Sequence, residues 1–125
     1  MRRSVIASII AIVAGTALWA QASRIGVFIP GAREGSPIYD TMAKGAERLA
    51  SEIPGASVRV IEAGFNQAEW EEKLTSFVAS GKFDVVITSN PSMPELINNI
   101  SKSFPKQKFI CLDGYLPGNP NAYSA

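Results

Sequence analysis

A chain of 125 residues with 12 basic and 11 acidic side chains is close to neutral, so its charge gives no reason to expect a nucleic-acid or anionic-membrane partner. It has no histidine, which removes the usual general base and the commonest metal ligand, and its single cysteine cannot form an internal disulfide. No cofactor or metal ion is expected, and the length suits one modest domain.

The chain opens with the positive Met1-Arg2-Arg3, followed by an uncharged apolar or small stretch from Val5 to Leu18. Ala20-Gln21-Ala22 then supplies the small residues that signal peptidase requires. Residues 1–22 therefore read as a secretory signal peptide, with cleavage before Ser23. The alternative is a membrane anchor, but the apolar run is short for a span of about 20 residues. No cysteine stands at the junction to take a lipid. Export across the inner membrane to the periplasm or cell surface is expected. Loss of Arg2 and Arg3 leaves ten basic against eleven acidic groups.

Arg24 to Ile29 is expected to form a first strand, stopped by Pro30-Gly31. Ser36 is a good N-cap for the following helix, with Pro37 at its first position. Ile38, Met42, Gly45-Ala46, Leu49-Ala50 and Ile53 recur at helical spacing and predict one apolar stripe. Ser57 to Glu62 alternates like a strand at the wetter edge of a sheet. Asn66 can cap a second helix whose buried stripe is Trp70, Leu74, Phe77 and Val78, with Gly81 as its stop. Val85, Val86 and Ile87 form a β-branched run that suits a strand covered on both faces. Ser92 and Glu95 then fit a capping box, opening a third helix from about Pro94 to Phe104. Lys108 to Leu112 is a fourth strand, with Cys111 as core packing. Tyr115 to Tyr123 reads as loop with no terminal element.

The order β-α-β-α-β-α-β with right-handed crossovers predicts an α/β fold with a doubly wound parallel sheet in the order 2-1-3-4. In such sheets ligands bind beyond the carboxyl ends of the strands. There the topology gathers Ser36, Tyr39, Phe65, Asn66, Ser89, Asn90 and Asp113. Most are neutral hydrogen-bonding groups or aromatics, which suits a polar, uncharged small molecule. Each also has a structural explanation. Ser36, Asn66 and Ser92 can act as caps, Phe65 can staple the second helix near Trp70, and Asp113 can form a turn with Gly114. Asn90 is not needed as a cap if Ser92 fills that role, which favours ligand contact.

Enzyme signatures are missing. Ser89 lacks a G-x-S-x-G context, and the loop Pro30 to Gly35 lacks G-x-G-x-x-G spacing. Without a histidine or nucleophile motif, a small hydrolase built on Ser89 or Asp113 has little support.

Several segments resemble one family in order and spacing. They are Gly35 to Tyr39, Gly64 to Leu74, Thr88 to Pro94, Pro105 to Phe109 and Leu112-Asp113-Gly114. The chain after residue 22 is similar to the basic membrane protein family, the substrate-binding proteins of ABC importers related to purine nucleoside receptor lipoproteins. The resemblance implies a type I periplasmic binding protein, of which residues 23–125 are the N-terminal, incomplete lobe. It further implies capture of a small ligand, often a nucleoside, by closure of two lobes, and docking of the closed form on a permease that alone ties it to the membrane. The better-known members carry an acidic residue in the first strand loop and a phenylalanine opening the first helix. Here those places hold Arg33-Glu34 and Ser36-Pro37-Ile38-Tyr39. An exported sensor that presents its ligand to a receptor kinase is the alternative from another class.

Overall fold

The structure is a computed structural model, and it describes residues 23–125. The expected signal peptide, residues 1–22, lies outside the described residues. Five parallel strands form one sheet in the order β2-β1-β3-β4-β5. The strands are β1 (Arg24–Ile29), β2 (Ser57–Glu62), β3 (Val85–Ser89), β4 (Lys108–Leu112) and β5 (Ala122–Ser124). The helices are α1 (Pro37–Glu52), α2 (Trp70–Ala79) and α3 (Met93–Ser103), and a 3-10 turn, Gln67–Glu69, leads into α2.

The predicted order 2-1-3-4 holds and gains a strand. The tail is not all loop, because β5 pairs in parallel with β4, Ile110 lying opposite Tyr123. Backbone bonds continue beyond the strand, with Asp113 N–H donating to Ala125 O at 2.7 Å. Three residues without alternation give no strand signal of their own, so the pairing is decided by the free edge of β4.

The sheet divides the core in two. On one face α2 and α3 bury Phe28, Phe77, Val86, Ile97, Phe109 and Cys111. Burial, with a lesser push from Asp113, raises the Cys111 thiol to about 11, so this cysteine packs as a small apolar group. Trp70, Leu74, Phe77 and Val78 are the buried stripe of α2, as their spacing predicts. On the other face α1 alone covers Ile25, Val27 and Ile29 with Met42, Ala43, Ala46 and Ala50.

The expected α1 stripe is corrected at its large residues: Ile38 is 69% exposed and Leu49 45% exposed. Small alanines face the sheet, which lets α1 lie close to it. The expectation that β3 is covered on both faces is also corrected. Val86 is fully buried, but Val85 and Ile87 on the α1 side are only half-buried. The edge character of β2 stands, since it forms one side of the sheet.

The capping box at Ser92 does not form. Ser92 has helical backbone angles and its side chain caps nothing. Asn90 does the work instead: its Oδ1 accepts from Ser92 N–H at 2.8 Å, and its carbonyl accepts from Met93 N–H at 3.0 Å. This is an Asx turn, in which the shorter side chain replaces a backbone acceptor two residues on.

Candidate functional site

All five strands run the same way, so their carboxyl ends bring the loops after β1, β2, β3 and β4 to one edge. The first loop passes through Gly31, whose backbone has φ +148°. A Cβ there would stand 3.1 Å from Tyr39 Cε2 and 3.3 Å from Phe65 Cε1. Gly31 therefore runs between two aromatic rings, one from the first turn of α1 and one from the loop after β2, and a larger residue would push them apart. Tyr39 is held by α1, whose N-cap Ser36 accepts from Tyr39 N–H at 3.4 Å. The Tyr39 hydroxyl accepts from Asn90 Nδ2 at 3.1 Å. Asn90 has φ +142°, a conformation that costs a non-glycine residue roughly 1–3 kcal/mol. Surrounding bonds fix it, including Asn90 N–H to Leu112 O at 3.3 Å.

The rim is stitched together between loops. Gly64 N–H donates to Gly31 O at 2.9 Å, and Arg33 N–H donates to the Glu62 carboxylate at 2.6 Å. Trp70 Nε1 donates to Gly64 O at 2.8 Å, and Lys73 Nζ to Ala63 O at 2.9 Å. The loop carrying Phe65 is thus anchored from behind by α2. Sequence reasoning missed Arg33, Trp70 and Lys73 in this role. The signal for Trp70 was available: a mostly buried indole must place its N–H on an acceptor.

Arg33, in the first rim loop, has its guanidinium already paired. Its guanidinium lies 2.7 Å from Glu47 and 3.1 Å from Asp40. These hydrogen bonds, Glu47 first, raise its pKa further. Lys44, then Arg33, hold the Asp40 carboxyl below its ordinary value.

The predicted site residues separate into two groups. Tyr39, Phe65 and Asn90 come together around Gly31, and Phe65 stays 78% exposed instead of stapling Trp70 from within the core. Asn66 is exposed and its Oδ1 accepts from Ala68 N–H at 3.3 Å, which makes it first a cap of the 3-10 turn. Ser36 is likewise first the α1 cap. Ser89 is only 2% exposed and faces the α1 side below the rim. Asp113 is exposed beyond β4 with φ +55°, an αL turn conformation that aspartate tolerates. Among the described residues no group of three or more His, Cys, Asp or Glu side chains could hold a metal ion, and no helix is long and apolar enough to cross a membrane.

The sequence model for ABC transporter substrate-binding proteins of the PnrA-like type matches residues 22–125. The chain belongs to this family, the Bmp family. Its fold is similar to a solute-binding protein of an ABC transporter system from Aeropyrum pernix K1, with TM-score 0.68 and 24% identity. That match covers 82% of this chain and 28% of the other. A solute-binding protein from Conexibacter woesei DSM 14684 has TM-score 0.64 and 21% identity, over 82% of this chain and 34% of the other. A lipoprotein fragment from Peptoclostridium difficile 630 has TM-score 0.66 and 16% identity, over 82% and 83% of the two chains. The chain thus spans about a third or less of the two solute-binding proteins.

Proposed function

We propose that residues 23–125 are the first, ligand-capturing lobe of an exported solute-binding protein that delivers an uncharged polar ligand to an ABC permease. The leader read in residues 1–22 would carry it across the inner membrane. The observation that supports the ligand reading most is the pair of rings, Tyr39 and Phe65, on either side of Gly31, with the Asn90 amide bonded to the Tyr39 hydroxyl. Exposed Phe65 offers a stacking face, and Asn90 offers an amide for hydroxyls or base edges. Arg33 is committed to Glu47 and Asp40, which disfavours phosphate or carboxylate ligands. A nucleoside has the required combination of a flat base and an uncharged sugar. Ser36, Asn66 and Asp113 belong to the same proposed rim, while Ser89 lies below it, 2% exposed on the α1 side.

Binding would follow lobe closure, since contacts from two lobes favour the closed state. One lobe supplies only part of these contacts, so the 125-residue chain alone is expected to bind in the millimolar range or weaker, with about 4 kcal/mol or less of binding free energy. Family membership favours transport over the sensor alternative. It places the chain among binding proteins, and we assign it no catalytic role.

The test is a thermal-shift and calorimetric screen of the two-lobed protein against nucleosides, free bases, sugars and amino acids. A shift with nucleosides is the expected result, while a shift with amino acids alone would overturn the ligand class. Tyr39→Phe removes only the hydroxyl that holds Asn90. It should weaken nucleoside binding about 5-fold, the effect of one neutral hydrogen bond, and unchanged affinity would take Asn90 out of the site.

A further inference from the structure

Arg33 joins the two arms that carry the aromatic rings. Its side chain reaches α1: Nη1 and Nη2 lie 2.7 and 3.3 Å from the two Glu47 carboxylate oxygens, and Nε lies 3.1 Å from Asp40. Asp40 and Glu47 stand two turns apart on one face of α1, so a single planar fork can grip both. Asp40 directly follows Tyr39 in the chain. Lys44 holds the other Asp40 oxygen at 2.6 Å, which fixes that carboxylate for the guanidinium. The main chain of Arg33 reaches the second arm. Its N–H donates at 2.6 Å to Glu62, the last residue of β2 and the start of the loop that carries Phe65. The Arg33 side chain is 27% exposed, against 82% for Arg48 in its pair with Glu52 on the same helix, so its ion pairs are less screened by water and salt.

The rings beside Gly31 belong to different elements, Tyr39 to a helix and Phe65 to an exposed loop, so their separation is set by whatever ties those elements together. The bond from Asn90 to the Tyr39 hydroxyl fixes one end of one ring, toward β3 and away from Phe65. We propose that Arg33 is a positioning residue that sets the width of the slot between Tyr39 and Phe65, its side chain clamping the first turns of α1 and its main chain clamping the end of β2. Arg33 acts through the two rings. A slot already held at one width loses less freedom when a flat ring enters it, so the brace strengthens binding without a ligand contact of its own. A lysine reproduces only part of this, because one ammonium cannot present three N–H groups in a rigid fork to two carboxylates. Only this effect on affinity rests on the ligand reading of the slot; the effect on the rings does not.

The first readout therefore needs no ligand. In the full-length protein labelled at glycine, nuclear Overhauser contacts from the Gly31 α-protons to the Tyr39 and Phe65 rings report the slot. Arg33→Met releases α1 and leaves the main-chain bond to Glu62, so the contact to Tyr39 should be lost and that to Phe65 kept. Arg33→Lys should retain part of the Tyr39 contact. Arg48→Met removes the solvent-facing ion pair and should change neither contact. Glu47→Gln, a milder change, should weaken the Tyr39 contact in the same direction and serves if Arg33→Met fails to fold by circular dichroism. An Arg33→Met protein that unfolds at lower urea with both contacts intact would make Arg33 a merely stabilising residue and overturn the proposal, as would loss of the contacts in Arg48→Met. The second readout is calorimetry with a nucleoside, where Arg33→Met should weaken binding about 5-fold, the effect of leaving one or two side chains to be ordered by the ligand. Lost contacts with unchanged affinity would overturn the role in binding. A wild-type protein that shows the contacts but binds no nucleoside would refute the ligand reading, and the ring contacts of the variants would still decide the brace.

Discussion

The two faces of the sheet are built from similar residues and end in different states. Along β4, Phe109 and Cys111 point to the α2–α3 face and are fully buried, while Ile110 and Leu112 point to the α1 face and are half-buried. The residue types alone do not distinguish them. What differs is the number of helices available among the described residues, two against one. A strand's composition states that it wants cover, but the cover itself comes from other elements.

The largest expected effect tests this contrast directly. Phe109→Ala removes a fully buried ring from the two-helix face and should cost about 3–5 kcal/mol. Ile110→Ala, one residue along the same strand, should cost about 1 kcal/mol, since much of its side chain is already in water. Urea midpoints of the two variants give the comparison, and equal losses would mean that the α1 face is as well packed as the other.

Two glycines sharpen it further. A Cβ on Gly26, in β1, would meet Phe77 and Phe83 at 2.9 Å on the tight face. Gly26→Ala should therefore cost about 1–3 kcal/mol through overpacking. On α1, a Cβ on Gly45 would meet nothing within 4 Å. Gly45→Ala should stabilise the lobe by about 0.5–1 kcal/mol, because alanine is the better helix former and nothing obstructs it. Thermal unfolding of the pair should shift in opposite directions, and a destabilised Gly45→Ala would show that α1 is already in contact with another body.

The same contrast explains what was legible in the sequence. The stripe of α2 is buried as its spacing predicts, and the order of the first four strands follows from periodicity and stop signals. The α1 stripe misled at Ile38 and Leu49, because helical spacing identifies an apolar face without saying whether anything covers it. β5 was invisible because three residues carry no period, and a free strand edge recruits them. At the site, the aromatic and amide residues were found through topology, which places loops after parallel strands at one edge. The capping choice at Asn90 over Ser92 was not legible. Both residues suit the role, and the decision depends on a backbone twist, φ +142° at Asn90, that only the tertiary bonds to Tyr39 and Leu112 sustain.

The smallest expected effect lies on neither face but at the amino edge of the sheet, where Arg24 opens β1 and Asp84 precedes β3. The Arg24 guanidinium lies 2.9 Å from the Asp84 carboxylate, which also accepts from Arg24 N–H at 2.8 Å. The Arg24 side chain and then its backbone N–H hold the Asp84 carboxyl below its ordinary value of 3.8. A lowered folded pKa means that the ionised form is favoured by folding. Its contribution is therefore present above about pH 3.8 and is lost as the pH falls below it. Both side chains are about half exposed, so water and salt screen the pair and its contribution should be small. Asp84→Asn should lower the urea midpoint slightly at pH 7 and hardly at all at pH 3, with the pH 7 difference shrinking in 0.5 M salt. A difference that grew toward acid would have the wrong sign for this pair and would place the edge's stability in the backbone ladder alone.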